Sequence, residues 1–325
     1  MERIRITTSL LFLALGVISG AASLTAAAPL ASSQPQRPFI SQRARASQPR
    51  NATNSTALPH PVTFREVKER GLLVNVWINN TGPYTFAVDT GAGITLIGSH
   101  VATMAETDRE GSHVSLGGLS GVSQSEGRTT IIGSIAIGDR ANSLRANQSA
   151  IIINDLPRGI DGILDPTDAF SPFGYSIDLP NRELAAFNPK DNPLRVNEVP
   201  EGATIVRWLT NGSSRRPFVR LGDGRLALVD TGSGFGLAVS EGFPNNNSHL
   251  TRAGVHDISG GEVVSKRVGP TTISIGSLVL RGVPTDLLTG VEKDAPILLG
   301  RDALYPFRLK FDPVQRLIEI APVSR

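Results

Sequence analysis

Residues 86–93 read FAVDTGAG, and residues 227–234 read ALVDTGSG. Each stretch is an apolar run that ends in Asp-Thr-Gly, with the carboxylates at Asp89 and Asp230. A single Asp-Thr-Gly is an ordinary turn signal, because Asp and Gly both favour turns. Two copies with matching flanks, about one small domain apart, indicate that a duplicated structure brings two carboxylates together.

Further segments recur in the same order after each Asp-Thr-Gly turn. The first half continues with IAIGD (135–139), GILD (162–165) and IDLPNRELAAF (177–187), and the second half with ISIGS (273–277), LLGRD (298–302) and FDPVQRLIEI (311–320). These runs are rich in β-branched residues and are separated by Gly and Pro. The two copies are about one small domain apart, which is longer than the repeated unit of a solenoid protein. The sequence therefore predicts a mostly β protein with two similar lobes. Short helices are expected at 99–105 and 301–304.

The composition divides the 325 residues into four segments. Residues 1–28 contain basic residues, an apolar run and small residues, which predicts a signal peptide; an uncleaved anchor is the alternative, because the run approaches spanning length. Residues 29–60 are rich in Ser, Gln, Pro and Arg, which predicts a disordered linker or pro-segment. Residues 61–190 and 191–325 are expected to form the N-terminal and C-terminal β lobes. Export to the periplasm or the extracellular space follows, with no membrane span after signal cleavage.

Several classes of protein are excluded by composition. The chain has no cysteine, which rules out disulfides, thiolate nucleophiles and Cys metal sites. The five histidines lack metal-ligand spacing, so we expect no metal and no other cofactor. The net charge is only +3 and no basic stripe is interleaved with aromatic residues, so we expect no nucleic-acid partner.

Asp89 and Asp230 are the candidate catalytic residues. Two carboxylates held close together cannot both ionise readily, so their titration splits and one stays protonated. The charged carboxylate can deprotonate a water molecule, and the protonated one can donate to a carbonyl oxygen. This pair can therefore hydrolyse a peptide bond without a metal or a covalent intermediate, and we expect an acidic pH optimum.

The residues that follow the two aspartates are expected to support the turns. Thr90 and Thr231 carry hydroxyls that can bond to backbone across an interface. Gly91 and Gly232 lack a Cβ, which lets a backbone N–H approach a carboxylate closely. Ser233 is expected to donate its hydroxyl to a carboxylate, which Ala at position 92 cannot do, so the two acids should differ in basicity.

With these motifs the chain resembles aspartic peptidases of the pepsin and retropepsin type. The resemblance is carried by DTGA (89–92), DTGS (230–233) and ILLG (297–300), and it covers roughly residues 62–325. It implies the acid-protease fold, with two closed β lobes, one catalytic aspartate in each and the active-site cleft between them. Two lobes in one chain resemble pepsins, whereas the short lobes resemble secreted bacterial retropepsin-like members. It also implies an endopeptidase that acts on a polypeptide substrate, and both acids in one chain predict activity as a monomer.

Glycine-rich hairpins are candidate flaps that contact substrate. They centre on Gly117 and Gly118 in the first half, and on Gly260 and Gly261 in the second. Such hairpins can fold over a cleft and open again. Ordinary surface hairpins with glycine turns remain the alternative.

One residue departs from the family pattern. Asp165 stands where the resemblance implies glycine, beneath the first catalytic turn. A third carboxylate there would raise the pKa of its neighbours or spoil the first lobe's geometry. The alternative function is therefore an impaired peptidase-like module that binds peptides or a partner protein. A structural β protein is a third possibility, but it leaves the duplicated turns unexplained.

Overall fold

The computed structural model describes residues 57–107, 111–120, 124–211, 214–240, 252–256, 261–292 and 294–323, and the backbone of 9–10 and 15–17. The predicted signal peptide, apart from those five residues, and the predicted linker over 29–56 lie outside the described residues. The described part is mostly β, with several sheets and short helices, as the sequence predicts.

The strands in chain order are β1 Ser9–Leu10, β2 Leu15–Val17, β3 Val62–Thr63, β4 Arg65–Val67, β5 Gly71–Ile78, β6 Thr81–Val88, β7 Thr95–Gly98, β8 His113–Gly117, β9 Gln124–Ile132, β10 Ile135–Ile137, β11 Gln148–Ile153, β12 Gly162–Leu164, β13 Gly174–Asp178, β14 Glu183–Phe187, β15 Thr204–Arg207, β16 Phe218–Arg220, β17 Leu226–Val229, β18 Leu237–Ser240, β19 Arg252–His256, β20 Glu262–Ile275, β21 Leu278–Thr289, β22 Ile297–Leu299, β23 Phe307–Asp312 and β24 Leu317–Pro322. The helices are α1 Ser99–Met104, α2 Pro166–Ala169 and α3 Arg301–Leu304. The first and third helices lie where the sequence predicts them, and α2 was not predicted.

Each half of the chain builds its own sheet. The first half forms a ten-stranded sheet in the order β10-β5-β6-β12-β7-β11-β9-β8-β2, with β4 paired to β5. The second half forms seven strands of an eight-stranded sheet in the order β1-β19-β20-β21-β18-β22-β17-β16, in which β1 comes from the N-terminus. The strands from the predicted signal peptide, β1 and β2, lie at the outer edges, so their removal would not interrupt either sheet.

The third sheet joins the two halves. Its order is β15-β24-β23-β13-β14-β3, with three strands from each half, and β13 and β23 pair antiparallel at the junction. Across this junction the rings of Tyr175 and Phe311 stack with their centroids 4.7 Å apart, and both side chains are fully buried. Burial of large aromatic side chains stabilises the packing of one lobe on the other.

The recurring Asp and Arg of the repeat form matching hairpin turns in this sheet. Asp178 accepts a hydrogen bond from the backbone N–H of Asn181 at 2.9 Å, and Asp312 accepts one from that of Gln315 at 2.8 Å. The arginines that follow have left-handed backbone, with φ 57° at Arg182 and φ 52° at Arg316. These residues repeat because they build the same turn twice, so their role is structural.

Candidate active site

The two Asp-Thr-Gly turns follow equivalent strands of the two lobes. Asp89 follows β6 and Asp230 follows β17, and each of these strands pairs in parallel with a short apolar strand, β12 or β22. The backbone N–H of Asp89 donates to the carbonyl of Leu164 at 3.0 Å, and that of Asp230 donates to the carbonyl of Leu299 at 2.9 Å. The two carboxylates are therefore delivered by the same backbone geometry.

Reciprocal hydrogen bonds between the threonines lock the turns together. The hydroxyl of Thr90 donates to the carbonyl of Val229 at 2.6 Å and accepts from the backbone N–H of Thr231 at 3.0 Å. The hydroxyl of Thr231 donates to the carbonyl of Val88 at 3.2 Å and accepts from the backbone N–H of Thr90, also at 3.2 Å. All four bonds are buried and cross between the lobes, so the turns are held at a defined separation.

The turn glycines press against the opposite carboxylates. A Cβ added to Gly232 would lie 2.5 Å from Cγ of Asp89, and one added to Gly91 would lie 2.9 Å from Cγ of Asp230. Carbon atoms in contact are normally 3.5–4.0 Å apart. Only glycine fits at either position, and its absent side chain is what lets the carboxylates approach each other.

Each carboxylate is bound by its own turn on one oxygen. Oδ1 of Asp89 accepts from the backbone N–H of Gly91 at 2.7 Å, and Oδ1 of Asp230 accepts from that of Ser233 at 3.0 Å. Both Oδ2 atoms are buried, and neither has an N–H or hydroxyl partner within the described part of the chain. These two oxygens are thus left to share a proton or to bind a water molecule.

The shared environment raises the pKa of both acids, but unequally. Burial, and then the charge of Asp230, raise the pKa of Asp89 well above its usual value. Burial also raises the pKa of Asp230, but only to about 6, because a shared proton on Asp89, the N–H of Ser233 and the charge of Arg301 favour its ionised form. Charge therefore develops first on Asp230, while Asp89 keeps its proton.

Ser233 differs from the expectation. Its contact with Asp230 comes from its backbone N–H, whereas its hydroxyl accepts from the N–H of Phe235 at 3.3 Å. The unequal basicity of the two acids comes instead in part from the charge of Arg301, a residue that no sequence motif marked as functional. Its Nη1 donates to the carbonyl of Thr231 at 2.5 Å, and its Nε lies 3.7 Å from Oε1 of Glu66 in the other lobe.

Asp165 does not disturb the register of the first lobe. It follows β12 as Gly300 follows β22, and its side chain caps α2 by accepting from the backbone N–H of Thr167 at 3.0 Å. A Cβ at Gly300 would lie 2.4 Å from the carbonyl oxygen of Phe235, so the second lobe requires glycine there. Asp165 therefore leaves the backbone geometry of the first catalytic turn intact, although its charge contributes to the raised pKa of Asp89.

We expect Asp165→Asn to flatten the dependence of stability on pH. Burial, and then the charge of Asp168, raise the pKa of Asp165 to about 7. The folded state thus holds a proton that the unfolded chain releases near pH 4, so this contribution to stability is complete below pH 4 and is lost as pH rises to about 7. The loss amounts to roughly 4 kcal/mol in the wild type, and asparagine removes it while still capping the helix.

Urea unfolding at pH 4, 6 and 8 would measure this effect. The variant should gain stability relative to the wild type at pH 8, and Asp155→Asn, at an exposed loop position after β11, should follow the wild-type curve. Parallel curves for the wild type and Asp165→Asn would contradict the assignment.

The first candidate flap reaches the second lobe. Gly117 ends β8, which pairs antiparallel with β9, and Gly118 starts the connection between them. Leu119, the next residue, is fully buried in an apolar cluster with Phe218 and other residues of the second lobe. Its carbonyl accepts from the backbone N–H of Glu292 at 2.9 Å. This hairpin therefore contacts the second lobe as well as its own.

The second candidate flap is described in part. Gly260 lies outside the described residues, whereas Gly261 is buried just before β20, which pairs with β19 as a hairpin. No group of His, Asp and Glu within the described ranges is arranged to hold a metal ion. In the same ranges, no helix is long and apolar enough to cross a membrane.

Comparisons with known proteins agree with this geometry. Residues 74–164 match the family model described as aspartyl protease, which includes the first Asp-Thr-Gly turn and the strand beneath it. The structure is similar to the crystal structure of the aspartic proteinase from Irpex lacteus, with a TM-score of 0.55 and 14% identity, over 82% of this chain and 97% of that one. No curated protein matches the chain.

These matches show similarity to aspartyl proteases over residues 74–164 and to the fold of an aspartic proteinase over most of the chain. The fold is the acid-protease fold, with two β lobes and the aspartate pair where they meet. The resemblance to aspartic peptidases of the pepsin and retropepsin type is therefore confirmed.

Proposed function

We propose that the chain is an aspartic endopeptidase that hydrolyses peptide bonds with a water molecule activated between Asp89 and Asp230. The observation that carries the proposal is the pair of interlocked turns, which leaves the two Oδ2 atoms unbound by any N–H or hydroxyl of the described residues. A water molecule held by both oxygens could be deprotonated by one carboxylate while the other stays protonated.

The unequal pKa values assign a role to each acid. Asp230, which ionises first, takes a proton from the water, and the hydroxide that forms adds to the carbonyl carbon of the scissile bond. Asp89, which keeps its proton, donates it to the carbonyl oxygen. The tetrahedral intermediate then collapses, the C–N bond breaks, and the leaving nitrogen receives the proton held by Asp230. Asp89 recovers its proton from the diol hydroxyl as the carbonyl re-forms.

The proposed pH dependence follows from the same pair. Catalysis needs one charged and one protonated acid, so the rate should rise as Asp230 ionises near pH 6 and fall once Asp89 loses its proton. This moves the proposed optimum from the acidic value expected from sequence to a mildly acidic or neutral one. Cleavage of a fluorogenic peptide library from pH 3 to 8 measures it, and a maximum below pH 4 would contradict the assignment.

The alternative, an impaired module that binds peptides without cutting them, rested on Asp165. The contacts of Asp165 weaken that alternative, because its side chain caps α2 and Leu164 still bonds to Asp89. Titration with a statine-type inhibitor separates the two. Tight binding without turnover of any peptide would favour the module, and binding together with turnover favours the peptidase.

We further propose export with cleavage of residues 1–28, and activity as a monomer. The layout of the N-terminal segment supports export, and the presence of both acids in one chain supports the monomer. N-terminal sequencing of the mature protein would also establish whether residues 29–60 are removed. Sedimentation of the active protein as a dimer alone would contradict the monomer.

A further inference from the structure

The first lobe contains a pocket that is separate from the aspartate pair. It is lined by residues of the β10–β11 connection (143–145), of α2 and the turn after it (169–173) and of the turn after β14 (188–190), together with Ala57, Pro59 and Val314. No residue of the two Asp-Thr-Gly turns belongs to this lining. The volume of this α2 pocket is about 470 Å³, within the range of roughly 300–1,000 Å³ that is typical of small-molecule sites.

Apolar side chains line the α2 pocket from the core to the surface. Leu144 and Phe170 belong to the main core and are buried, whereas Phe173 is half-buried and Pro172 is exposed. A pocket with this lining opens to solvent and offers apolar surface inside. It suits a ligand with an apolar body, because burial of apolar surface is the main favourable contribution to its binding.

Two exposed apolar residues adjoin the same pocket. Val314, which belongs to the lining, is 59% exposed, and Leu58, between the lining residues Ala57 and Pro59, is 45% exposed. A single exposed apolar side chain is ordinary on a protein surface. Two of them beside one apolar pocket enlarge the apolar surface that a ligand can cover.

The charged residues of the lining are both cations. Arg145 and Lys190 are exposed, and among the residues that the structure describes neither belongs to an ion pair. Burial raises the pKa of Asp168 on α2, and the charges of Arg215 and then of Arg145 oppose that shift. The carboxylate of Asp168 is paired with Arg215 and lies outside the lining. Charge complementarity therefore favours an anionic ligand.

The chain's own N-terminal segment does not meet this requirement. The described chain starts beside the pocket at Ala57, so the preceding segment is the nearest covalently attached candidate. Residues 29–56, however, contain four arginines and no Asp or Glu. Like charges repel, so the two cations of the pocket disfavour this segment and favour a ligand from outside the chain.

The polar side chains of the lining favour an alkyl chain over a peptide. The amide of Asn188 donates to Asp191 at 2.6 Å, and its carbonyl accepts from the backbone N–H of Lys190 at 3.1 Å. Apart from Asn188 and the two cations, the lining has only the hydroxyls of Ser143 and Ser171. A buried peptide would leave amide groups without partners, which costs free energy that an alkyl chain does not lose.

We propose that the α2 pocket binds a monocarboxylate with an alkyl chain, of the fatty-acid type. The alkyl chain lies against Phe170, Pro172 and Phe173, and the carboxylate pairs with Arg145 and Lys190. This is a second binding site, independent of the peptidase activity proposed for the aspartate pair.

Isothermal titration of the mature protein at pH 7.4, where a carboxylate is ionised, tests the proposal. Hexanoate, octanoate and decanoate are compared with decanol, each at concentrations where the ligand is monomeric. Affinity should rise about fourfold for each added methylene, the value for a fully buried CH₂ group. Decanoate should bind about 3- to 30-fold more tightly than decanol, because two exposed ion pairs are individually weak.

The double variant Arg145→Gln/Lys190→Gln isolates the role of the cations. Both side chains are exposed, so the fold should be retained. The preference for decanoate over decanol should fall close to one, and the affinity for decanol should stay within a factor of about two. Lys68→Gln/Arg220→Gln is the matched control, because it removes the same charge at exposed positions outside the pocket and should keep the wild-type preference.

Several results would overturn the proposal. These are no saturable binding of decanoate, equal affinity for decanoate and decanol, and a preference that persists in Arg145→Gln/Lys190→Gln. Displacement of decanoate by a statine-type inhibitor would move the binding to the candidate active site. Tighter binding of a peptide with an apolar C-terminal residue, binding of decanoate only after removal of residues 29–56, or a dimer that decanoate dissociates would each assign the pocket to another occupant.

Discussion

Replacing Asp89 or Asp230 by asparagine is expected to lower kcat/KM for peptide hydrolysis by about 10³- to 10⁴-fold. Either change removes the proton exchange that the pair provides, and general acid–base catalysis contributes about 10²- to 10⁴-fold for each positioned group. The fold should be retained, because asparagine has the same shape and the repulsion between two buried carboxylates disappears.

Steady-state kinetics with the best library peptide, together with thermal unfolding, would test this expectation. Asp178→Asn is the matched control, since Asp178 belongs to the same repeat but lies in a hairpin of the joining sheet and only holds its turn. It should leave kcat/KM within a factor of about two of the wild type. A folded Asp89→Asn or Asp230→Asn variant with near wild-type turnover would end the assignment of the aspartate pair.

The second large effect is expected from Gly232→Ala. The added methyl group would lie 2.5 Å from Cγ of Asp89 and 2.6 Å from its Oδ2, so the two turns must separate. Overpacking of this kind costs about 1–3 kcal/mol of unfolding free energy. A displacement of about 1 Å at a reacting group lowers activity on the order of 10²-fold, so kcat/KM should fall by at least that much.

Gly269→Ala provides the comparison. An added Cβ there meets no atom of the described residues within 4 Å, and the backbone of Gly269 is not in the left-handed region. Its unfolding free energy and kcat/KM should match those of the wild type. Wild-type activity in Gly232→Ala would mean that the turns are not pressed together as the structure has them.

Features that depend on residues close together in the chain could be predicted from the sequence, whereas features that depend on contacts between distant residues could not. The mostly β architecture and the positions of α1 and α3 follow from local patterns of apolar and turn residues, and they agree with the structure. The helix α2 was missed because four residues carry too little periodicity to be recognised. The sequence alone also does not reveal that the side chain of Asp165 caps that helix.

The sequence by itself determined that two Asp-Thr-Gly turns recur in equivalent settings, because a duplicated strand-and-turn pattern can be read from residues close together in the chain. Only the tertiary structure decided what surrounds them: the burial of Leu119 against the second lobe, the contact of Arg301 with Glu66 of the other lobe, and the use of the Ser233 backbone in place of its hydroxyl. The first two join residues far apart in the chain, and the third depends on how one turn is closed. The two long-range contacts exist only once the lobes have packed and excluded water, so no local pattern encodes them, and the turn contact depends on a backbone geometry that residue types alone do not specify.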